Sequence, residues 1–269
     1  MKNDGRETDA GRVALVTGAS GGIGLEIARL LAADGYSLAL VARSRDKLER
    51  LSEELRERFG VTSRVVTSDL ARPEAPREIF AELGADASRV EVLVNNAGFG
   101  TYGPFAETNL RAELEMLQVN VAALTHLTKL FLPAMLAARR GRIMQVASTA
   151  AFQPGPLMAV YYATKAYVLS LSEALSNELD GTGVTVTALC PGPTETGFVA
   201  AAGMNDSKLF DRAVMDARTV AVEGYRGLLA GKAIVIPGLR NNLLARSIGF
   251  FPRGLVTKVV RRIQEKRNN

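Results

Sequence analysis

Short apolar runs that alternate with helix-forming segments are the feature that most restricts how this chain can fold. Seven runs rich in Val, Ile, Leu and Ala have the length of single strands: 13–18, 37–43, 63–69, 90–98, 141–148, 184–192 and 233–238. Strands that are apolar on both faces and separated by helices indicate a parallel sheet covered on both sides. Right-handed crossovers make such a sheet doubly wound. We therefore predict a single α/β domain with a seven-stranded parallel sheet and helices on both faces.

The segments between the runs carry helical periodicity. We predict helices over 27–35, 44–59, 73–84, 109–138 and 158–180. Doubly wound sheets bind ligands beyond the carboxyl ends of their strands. The motifs described below lie at or after such ends, so we expect them to meet in one crevice.

The domain organisation follows from composition. The chain has 269 residues, 47% of them hydrophobic, which suits one large domain better than two small ones. We predict a flexible polar leader over residues 1–11, the main domain over 12–239 and a C-terminal extension over 240–269. No uninterrupted apolar run approaches the ~20 residues of a membrane span. The only cysteine, Cys190, excludes an intrachain disulfide, so we expect a reducing, cytoplasmic location.

Positive charge is concentrated at the C-terminal end. Residues 240–269 contain eight Lys or Arg and one Glu, a net of +7, which leaves −2 for the rest of a chain whose total is +5. A nucleic-acid-binding fold would need a broader basic face, so we exclude that function. The extension mixes basic and apolar residues and predicts an amphipathic helix. We favour its packing against protein, over the substrate site or a second subunit, rather than on an acidic membrane surface.

A glycine-rich loop follows the first strand. In TGASGGIG, residues 17–24, Gly18, Gly22 and Gly24 have the spacing G-x-x-x-G-x-G. Glycines let the backbone approach a pyrophosphate, and the next helix offers its N-terminal amides to the anion. An ordinary glycine-rich turn is the alternative. The strand–loop–helix context favours a dinucleotide site, to which Ser20 and Ile23 also belong.

The end of the second strand bears on the choice of nicotinamide cofactor. An NAD site usually places a carboxylate there, but this chain has Arg43 and Ser44, and Asp46 belongs to the first turn of the next helix. A guanidinium suits a 2′-phosphate because it can bind two oxygens at once. We therefore predict NADP(H) rather than NAD(H), with Arg43 first, then Ser44 and Arg45. The alternative is a solvated helix start with Ser44 as its N-cap.

Residues 161–165, Tyr-Tyr-Ala-Thr-Lys, suggest acid–base chemistry on a helix. Tyr161 and Lys165 have the spacing i,i+4, and Tyr162 and Lys165 have i,i+3, so periodicity does not choose between the tyrosines. A phenol titrates near pH ~10, too high for efficient proton transfer at neutral pH, and a nearby ammonium lowers that pKa. The alternative is two core aromatics beside a solvated lysine.

These motifs together resemble the classical short-chain dehydrogenase/reductase family, over about residues 11–240. The resemblance rests on TGASGGIG, Asp69, NNAG at 95–98, Asn120, Ser148, Tyr161-x-x-x-Lys165 and PGPTET at 191–196. The stretches LVARSRDKLE, VNNAGFGTYGPF and VYYATKAYVLSLSEALSNEL are similar to the bacterial subgroup described as DltE-like. The resemblance implies a Rossmann-type fold.

The resemblance also implies residue roles. It assigns a catalytic tetrad of Asn120, Ser148, Tyr161 and Lys165, with Tyr161 as proton donor or acceptor, Ser148 on the substrate oxygen and Asn120 anchoring a water that links Lys165 to solvent. Further implied cofactor contacts are Asp69 and Leu70 at the adenine, Asn96, Ala97 and Gly98 at the ribose, and Pro191, Gly192, Thr194 and Thr196 at the nicotinamide. Asn95 would tie the sheet together.

The expected function is an NADP(H)-dependent oxidoreductase acting on a carbonyl or secondary alcohol. We expect a substrate lid over 197–230. Apolar residues in this lid and in the loops at the crevice predict an apolar substrate pocket, and the alternative is that they only pack the loops. These residues are 198–204, Phe99, Tyr102, Phe152, Pro154, Pro156 and Met158. A 3-oxoacyl thioester reductase is an alternative. A silent dinucleotide-sensing regulator is disfavoured because Tyr161 and Lys165 are kept.

The sequence also bears on oligomeric state and on metal binding. The resemblance implies a homodimer or homotetramer that uses the long helix and the helix bearing Tyr161. His126 lies among apolar residues and is expected to be packed rather than catalytic. The chain has one His and one Cys, so a metal site built from His and Cys ligands is not expected.

Overall fold

The computed structural model describes residues 11–197 and 214–265. Residues 1–10 of the predicted leader and residues 198–213 of the predicted lid, including the apolar stretch 198–204, lie outside the described residues.

The main sheet has seven strands, all paired in parallel, in the order β3-β2-β1-β4-β5-β6-β9. The strands are β1 Val13–Thr17, β2 Ser37–Ala42, β3 Ser63–Thr67, β4 Val90–Asn95, β5 Gly141–Val146, β6 Val184–Leu189 and β9 Ile234–Val235. Two further short strands, β7 Thr194–Glu195 and β8 Met215–Asp216, pair with each other. The predicted doubly wound, seven-stranded parallel sheet is confirmed. The last strand is shorter than predicted, because Pro237 has no N–H to continue the ladder.

Nine helices are described around the sheet. They are α1 Gly22–Ala33, α2 Arg45–Phe59, α3 Ala75–Leu83, α4 Leu110–Leu117, α5 Leu124–Ala138, α6 Ala159–Glu178, α7 Ala217–Leu229, α8 Leu239–Ser247 and α9 Arg253–Gln264.

The core lies on both faces of the sheet. In β1, Ala14 and Val16 pack in one apolar cluster with residues of α1, α2 and α7. Val13 and Leu15 point to the opposite face and pack with residues of α3 and α5. Successive side chains of a strand alternate between faces, so a strand buried on both sides must be apolar throughout.

The long helix predicted over 109–138 is interrupted. A π-helical turn, Gln118–Ala123, separates α4 from α5 and carries Asn120. By length and composition, the helical stretch Leu110–Ala138 could cross a membrane. In the structure, Leu127 and Phe131 of this stretch are fully buried and pack in the core cluster on one face of the sheet.

The C-terminal extension folds back onto the side of the domain that carries Tyr102 and Tyr162. Val260 of α9 packs against the cluster of Ala150, Met158 and Tyr162. At the end of the same helix, the backbone oxygen of Gln264 accepts a hydrogen bond of 2.6 Å from the Tyr102 hydroxyl. The inner side of α9 therefore closes one flank of the region that holds the candidate active site.

Candidate active site

A cleft of about 990 Å³ opens at the carboxyl ends of the strands. It brings together most of the residues selected from the sequence. Those that line it are Gly18, Ser20, Gly22, Ile23, Arg43, Ser44, Asp69, Leu70, Asn96, Ala97, Gly98, Ser148, Tyr161, Lys165, Pro191, Gly192, Thr194 and Thr196. Gly24 of the predicted glycine loop and Asn120 of the predicted tetrad are not part of the lining and lie behind it.

The glycine loop is held against the end of β4 by Asn96. The Asn96 side-chain amide donates to the backbone oxygens of Thr17, at 2.9 Å, and Gly18, at 3.3 Å. A Cβ atom at Gly24 would lie 2.5 Å from the Gly18 oxygen and closer still to that amide nitrogen. Glycine at position 24 therefore lets α1, the loop and Asn96 meet.

The start of α1 fits an anionic group. Its N-cap residue, Gly21, provides no side-chain cap, and no acidic residue lies in its first turn. The first backbone amides of a helix have no partner within the helix, so here they can donate to a phosphate. The loop, Asn96 and this helix start fit the pyrophosphate of a dinucleotide.

Cations lie at the far end of the cleft, after β2. Arg43 and Ser44 line it, and the Ser44 hydroxyl makes no cap hydrogen bond to α2. Arg45 instead pairs with Glu49 along α2, at 2.7 Å, and does not line the cleft. Lys47 takes the place expected for Arg45. Sequence reasoning missed Lys47, although its position one turn after Arg43 and Ser44 is a signal that could have found it.

The adenine end was predicted at Asp69 and Leu70, and both line the cleft beside Ser68 and Ala71. The Asp69 carboxylate accepts a hydrogen bond of 3.0 Å from the Ala71 amide. That bond fixes the turn after β3, so the carboxylate also has a local structural task.

Ser148 and Tyr161 meet at the inner end of the cleft. Ser148 follows β5, and its side chain is hydrogen-bonded to that of Tyr161. The Ser148 oxygen also accepts from the Ala150 amide at 3.1 Å. Two hydroxyls are thus held side by side where a carbonyl oxygen could contact both.

The structure distinguishes the two neighbouring tyrosines. The Tyr162 hydroxyl accepts a short hydrogen bond from the side-chain amide of Gln264 in α9. The two rings meet edge to face, with centroids 6.1 Å apart. Tyr161 is the tyrosine beside Ser148, and Tyr162 joins α6 to the C-terminal helix. The sequence signalled neither the Gln264 contact nor the role of Tyr162 in it.

Lys165 is buried one turn after Tyr161. Its ammonium donates to the Val146 backbone oxygen at 2.8 Å and lies 5.7 Å from the centre of the Tyr161 ring. Burial lowers the pKa of Lys165 to about 8.

Burial dominates the acidity of Tyr161. It raises the pKa of the phenol well above its ordinary value, opposed by the hydrogen bond with Ser148 and reinforced by Tyr162. The predicted net lowering of this pKa is therefore wrong for this structure, because desolvation raises the pKa and the Lys165 ammonium is bonded to the Val146 oxygen. Tyr161 keeps its proton across the neutral pH range.

The Asn120 side chain is hydrogen-bonded both to the loop after β4 and to α6. Its side chain accepts from the Phe99 amide at 3.2 Å and donates to the Phe99 oxygen at 3.0 Å and to Thr164 at 3.1 Å. The π-helical turn thus fixes the loop after β4 against α6. The expected role of Asn120 in anchoring a water stays a prediction. Asn95 joins β4 to α5 through a 3.1 Å bond to Thr128, in keeping with its expected structural role.

The predicted apolar pocket is formed by only part of the expected set. Phe99 and Met158 line the cleft, together with Gln153. Tyr102 packs beside Tyr162, whereas Phe152 packs into a separate cluster with residues of α6 and β6. Pro154 and Pro156 are not part of the lining. The expectation that Phe152, Pro154 and Pro156 line the pocket is corrected, because none of the three lines the cleft.

Two remaining residues have no sign of a chemical role. Cys190 is fully buried, and burial raises the pKa of its thiol to about 12. His126 is half-buried in α5. Within 11–197 and 214–265, no group of three or more His, Cys, Asp or Glu could hold a metal ion.

Comparison with known proteins adds independent findings. The family model described as short chain dehydrogenase matches residues 12–206. A short-chain dehydrogenase from Sphingobium yanoikuyae, solved in complex with NADPH, is 31% identical with a TM-score of 0.81, over 94% of this chain and 98% of that one. The bulky-bulky ketone specific alcohol dehydrogenase from Comamonas testosteroni is 30% identical with a TM-score of 0.76, over 92% and 94% of the two chains.

A curated relative extends the comparison to thioester chemistry. The very-long-chain 3-oxoacyl-CoA reductase of Phaeosphaeria nodorum is 36% identical over 180 residues, which are 65% of this chain. The match spans only 53% of that relative's own length.

Proposed function

The chain belongs to the short-chain dehydrogenase family, and from that premise we propose that it is an NADP(H)-dependent oxidoreductase that interconverts an apolar ketone and its secondary alcohol. One observation carries the proposal. The hydrogen-bonded pair Ser148 and Tyr161, with Lys165 beneath, lies at one end of a cleft whose other end holds the glycine loop and Arg43.

The residues divide the work of carbonyl reduction. When bound, the nicotinamide supplies the hydride that reduces the carbonyl carbon. The Ser148 hydroxyl holds the carbonyl oxygen, and Tyr161 gives that oxygen its proton. Burial keeps the Tyr161 phenol in the protonated form that a donor needs, although the raised pKa also makes it a weaker acid. The Lys165 ammonium stabilises the phenolate left behind. Oxidation of the alcohol reverses these steps.

Preference for NADP(H) is supported by charge at the end of β2. Arg43 and Lys47 line the cleft there, with the Ser44 hydroxyl between them. None of the ion pairs found among the described residues involves Arg43 or Lys47, whereas Arg45 is paired with Glu49. The relative from Sphingobium yanoikuyae, solved with NADPH, supports the same choice.

The substrate end supports an apolar ketone. Phe99, Met158 and Tyr162 line it, and the relative from Comamonas testosteroni is named for bulky ketones. A 3-oxoacyl thioester reductase is the second candidate, supported by the relative from Phaeosphaeria nodorum. Exposed Arg261 and Arg262 of α9, beside this end, would suit the phosphates of a thioester carrier.

Assembly and location are part of the proposal. Leu110, Leu114 and Leu117 form an exposed apolar stripe on α4, at spacings that place them on one face. This stripe supports a homodimer or homotetramer. A buried thiol at Cys190 is consistent with the proposed cytoplasmic location.

The two neighbouring tyrosines provide the test. Consumption of NADPH is followed with a panel of bulky ketones and 3-oxoacyl thioesters for the wild type, Tyr161→Phe and Tyr162→Phe. Loss of the proton donor in Tyr161→Phe is expected to lower kcat by about 10²–10⁴-fold. Tyr162→Phe loses the same hydroxyl one residue away and should keep most of its activity. Equal losses in both variants would contradict the assignment of Tyr161. Nucleotide binding without turnover of any carbonyl would favour the regulatory alternative.

A further inference from the structure

The segment from α8 to α9, residues 239–265, exposes an unusual amount of apolar surface. Fourteen large hydrophobic side chains are exposed among the described residues, and half of them belong to this short segment. They are Leu239, Leu243, Leu244, Phe250, Phe251, Leu255 and Val259. Phe250 is 88% exposed and Leu239 is 79% exposed.

The exposed side chains lie on the outer side of helices whose inner side is already packed. In α9, Val260 and Gln264 contact the domain, while Leu255 and Val259, at spacing i,i+4, stay exposed. In α8, Leu239 and Leu243 share one outer face in the same way. Phe250 and Phe251 lie in the short connection between the two helices. The helices therefore need no further apolar contact with the domain itself.

The same segment is strongly basic. It holds six Arg or Lys and one Glu, a net charge of +5 over 239–265. All six basic residues are exposed: Arg240, Arg246, Arg253, Lys258, Arg261 and Arg262. Exposed aromatic and aliphatic side chains flanked by Lys and Arg are the combination that binds a helix to an anionic bilayer.

A second copy of the chain fits this surface poorly. Pairing the segment with itself would bring two patches of net charge +5 together, which is electrostatically unfavourable. The exposed leucines of α4 offer an apolar stripe without such a concentration of charge. An anionic surface is complementary to the segment, and acyl chains can receive its apolar side chains.

We propose that residues 239–265 dock the protein on the surface of an anionic lipid bilayer. Phe250 and Phe251 insert at the level of the headgroups, and Arg253, Lys258 and Arg262 contact lipid phosphates. The docking helix α9 is also joined to Tyr102 and Tyr162 through Gln264, beside the cleft. Docking therefore places the substrate side of the cleft next to the bilayer. The docking itself does not depend on the proposed reaction.

Co-sedimentation of the full chain with vesicles tests the proposal. Vesicles of pure phosphatidylcholine are compared with vesicles of phosphatidylcholine and phosphatidylglycerol. The wild type should sediment with the anionic vesicles and be released by added salt. Phe250→Ser with Phe251→Ser should weaken this binding by about tenfold or more, given the transfer free energy of a phenylalanine side chain. Phe105→Ser, which changes another exposed phenylalanine outside the segment, should bind like the wild type.

A charge variant separates the two contributions. Arg253→Gln with Lys258→Gln and Arg262→Gln should lose the preference for phosphatidylglycerol, and circular dichroism should show an unchanged fold because these side chains are exposed. Failure of the wild type to sediment with anionic vesicles would overturn the proposal. So would light scattering that shows an oligomer which dissociates when Phe250 and Phe251 are replaced, because a second copy would then be the occupant.

Discussion

Replacement of Gly24 by alanine tests the packing that forms the nucleotide loop. The added Cβ would lie 2.5 Å from the Gly18 oxygen and would overlap the Asn96 side-chain amide. Both neighbours are constrained, since Asn96 is bonded to the Thr17 and Gly18 oxygens and Gly18 has a positive φ of 65°. We expect α1 to shift away from β4, or the Asn96 amide to leave its place.

The magnitude follows from three contributions. Overpacking a well-packed site costs about 1–3 kcal/mol. Loss of a hydrogen bond of Asn96 costs about 1 kcal/mol more. Alanine within a helix is favoured over glycine by about 1 kcal/mol, which offsets part of this. The free energy of unfolding should fall by about 1–3 kcal/mol, and Tm by about 2–4 °C for each kcal/mol.

Thermal unfolding without nucleotide is the assay, and Gly21→Ala is the matched control. A Cβ at Gly21 would meet no atom within 4 Å, and its φ of 178° is open to alanine. The control should unfold close to the wild-type temperature, because the restriction of the unfolded chain by alanine offsets its lower preference than glycine at an N-cap. A Gly24→Ala protein as stable as the control would refute the argument that position 24 is closed to a side chain.

Three further predictions concern the buried polar groups. Because the pKa of Lys165 is lowered to about 8, its ammonium is present below that pH and lost above it, so kcat for reduction should fall as pH rises through about 8. Lys165→Arg should shift this fall in kcat to higher pH, and an unchanged pH profile would show that Lys165 is not the titrating group. Gln264→Ala should lower the free energy of unfolding in urea by about 1–3 kcal/mol, because the buried Tyr162 hydroxyl loses its donor; the exposed neighbour change Glu265→Ala should stay within about 0.5 kcal/mol, and equal effects would contradict the anchoring role. Cys190, whose pKa burial raises to about 12, should resist iodoacetamide in the native protein and react once it is unfolded, as mass spectrometry would show; labelling of the native protein would place the thiol outside the core.

The fold could be predicted because its signals are local and repeated. Each strand of the sheet is a short apolar run, as in β1, where Ala14 and Val16 face one side and Val13 and Leu15 the other. The glycine loop comes directly after β1, so assigning that strand also predicted that the loop lies at the edge of the sheet. Such features depend on neighbouring residues, which a single sequence displays.

Features that depend on distant residues could not be predicted. Gln264 meets Tyr162 across 102 residues of chain and Tyr102 across 162, and no pattern near Gln264 indicates either contact. The Asn120 side chain, in the π-helical turn, is bonded to the Phe99 backbone, which arrives from the loop after β4.

The chemistry of Tyr161 shows the same limit. The i,i+4 spacing in the sequence predicted that Lys165 lies near Tyr161, but the pKa of Tyr161 also depends on its burial and on the direction in which the Lys165 ammonium points. Burial raises the pKa of Tyr161, and the ammonium is bonded to Val146, which only the folded structure reveals.

Paired titration with NADPH and NADH, followed by nicotinamide fluorescence, tests the central claim most directly. Charge-assisted hydrogen bonds to the 2′-phosphate are worth about 1.5–3 kcal/mol, so NADPH should bind about 10–100-fold more tightly than NADH. Arg43→Ala should lose most of that advantage, whereas Arg45→Ala, whose side chain pairs with Glu49, should keep it. Equal or tighter binding of NADH would contradict the proposed role of Arg43, and binding of neither nucleotide would contradict the proposed oxidoreductase itself.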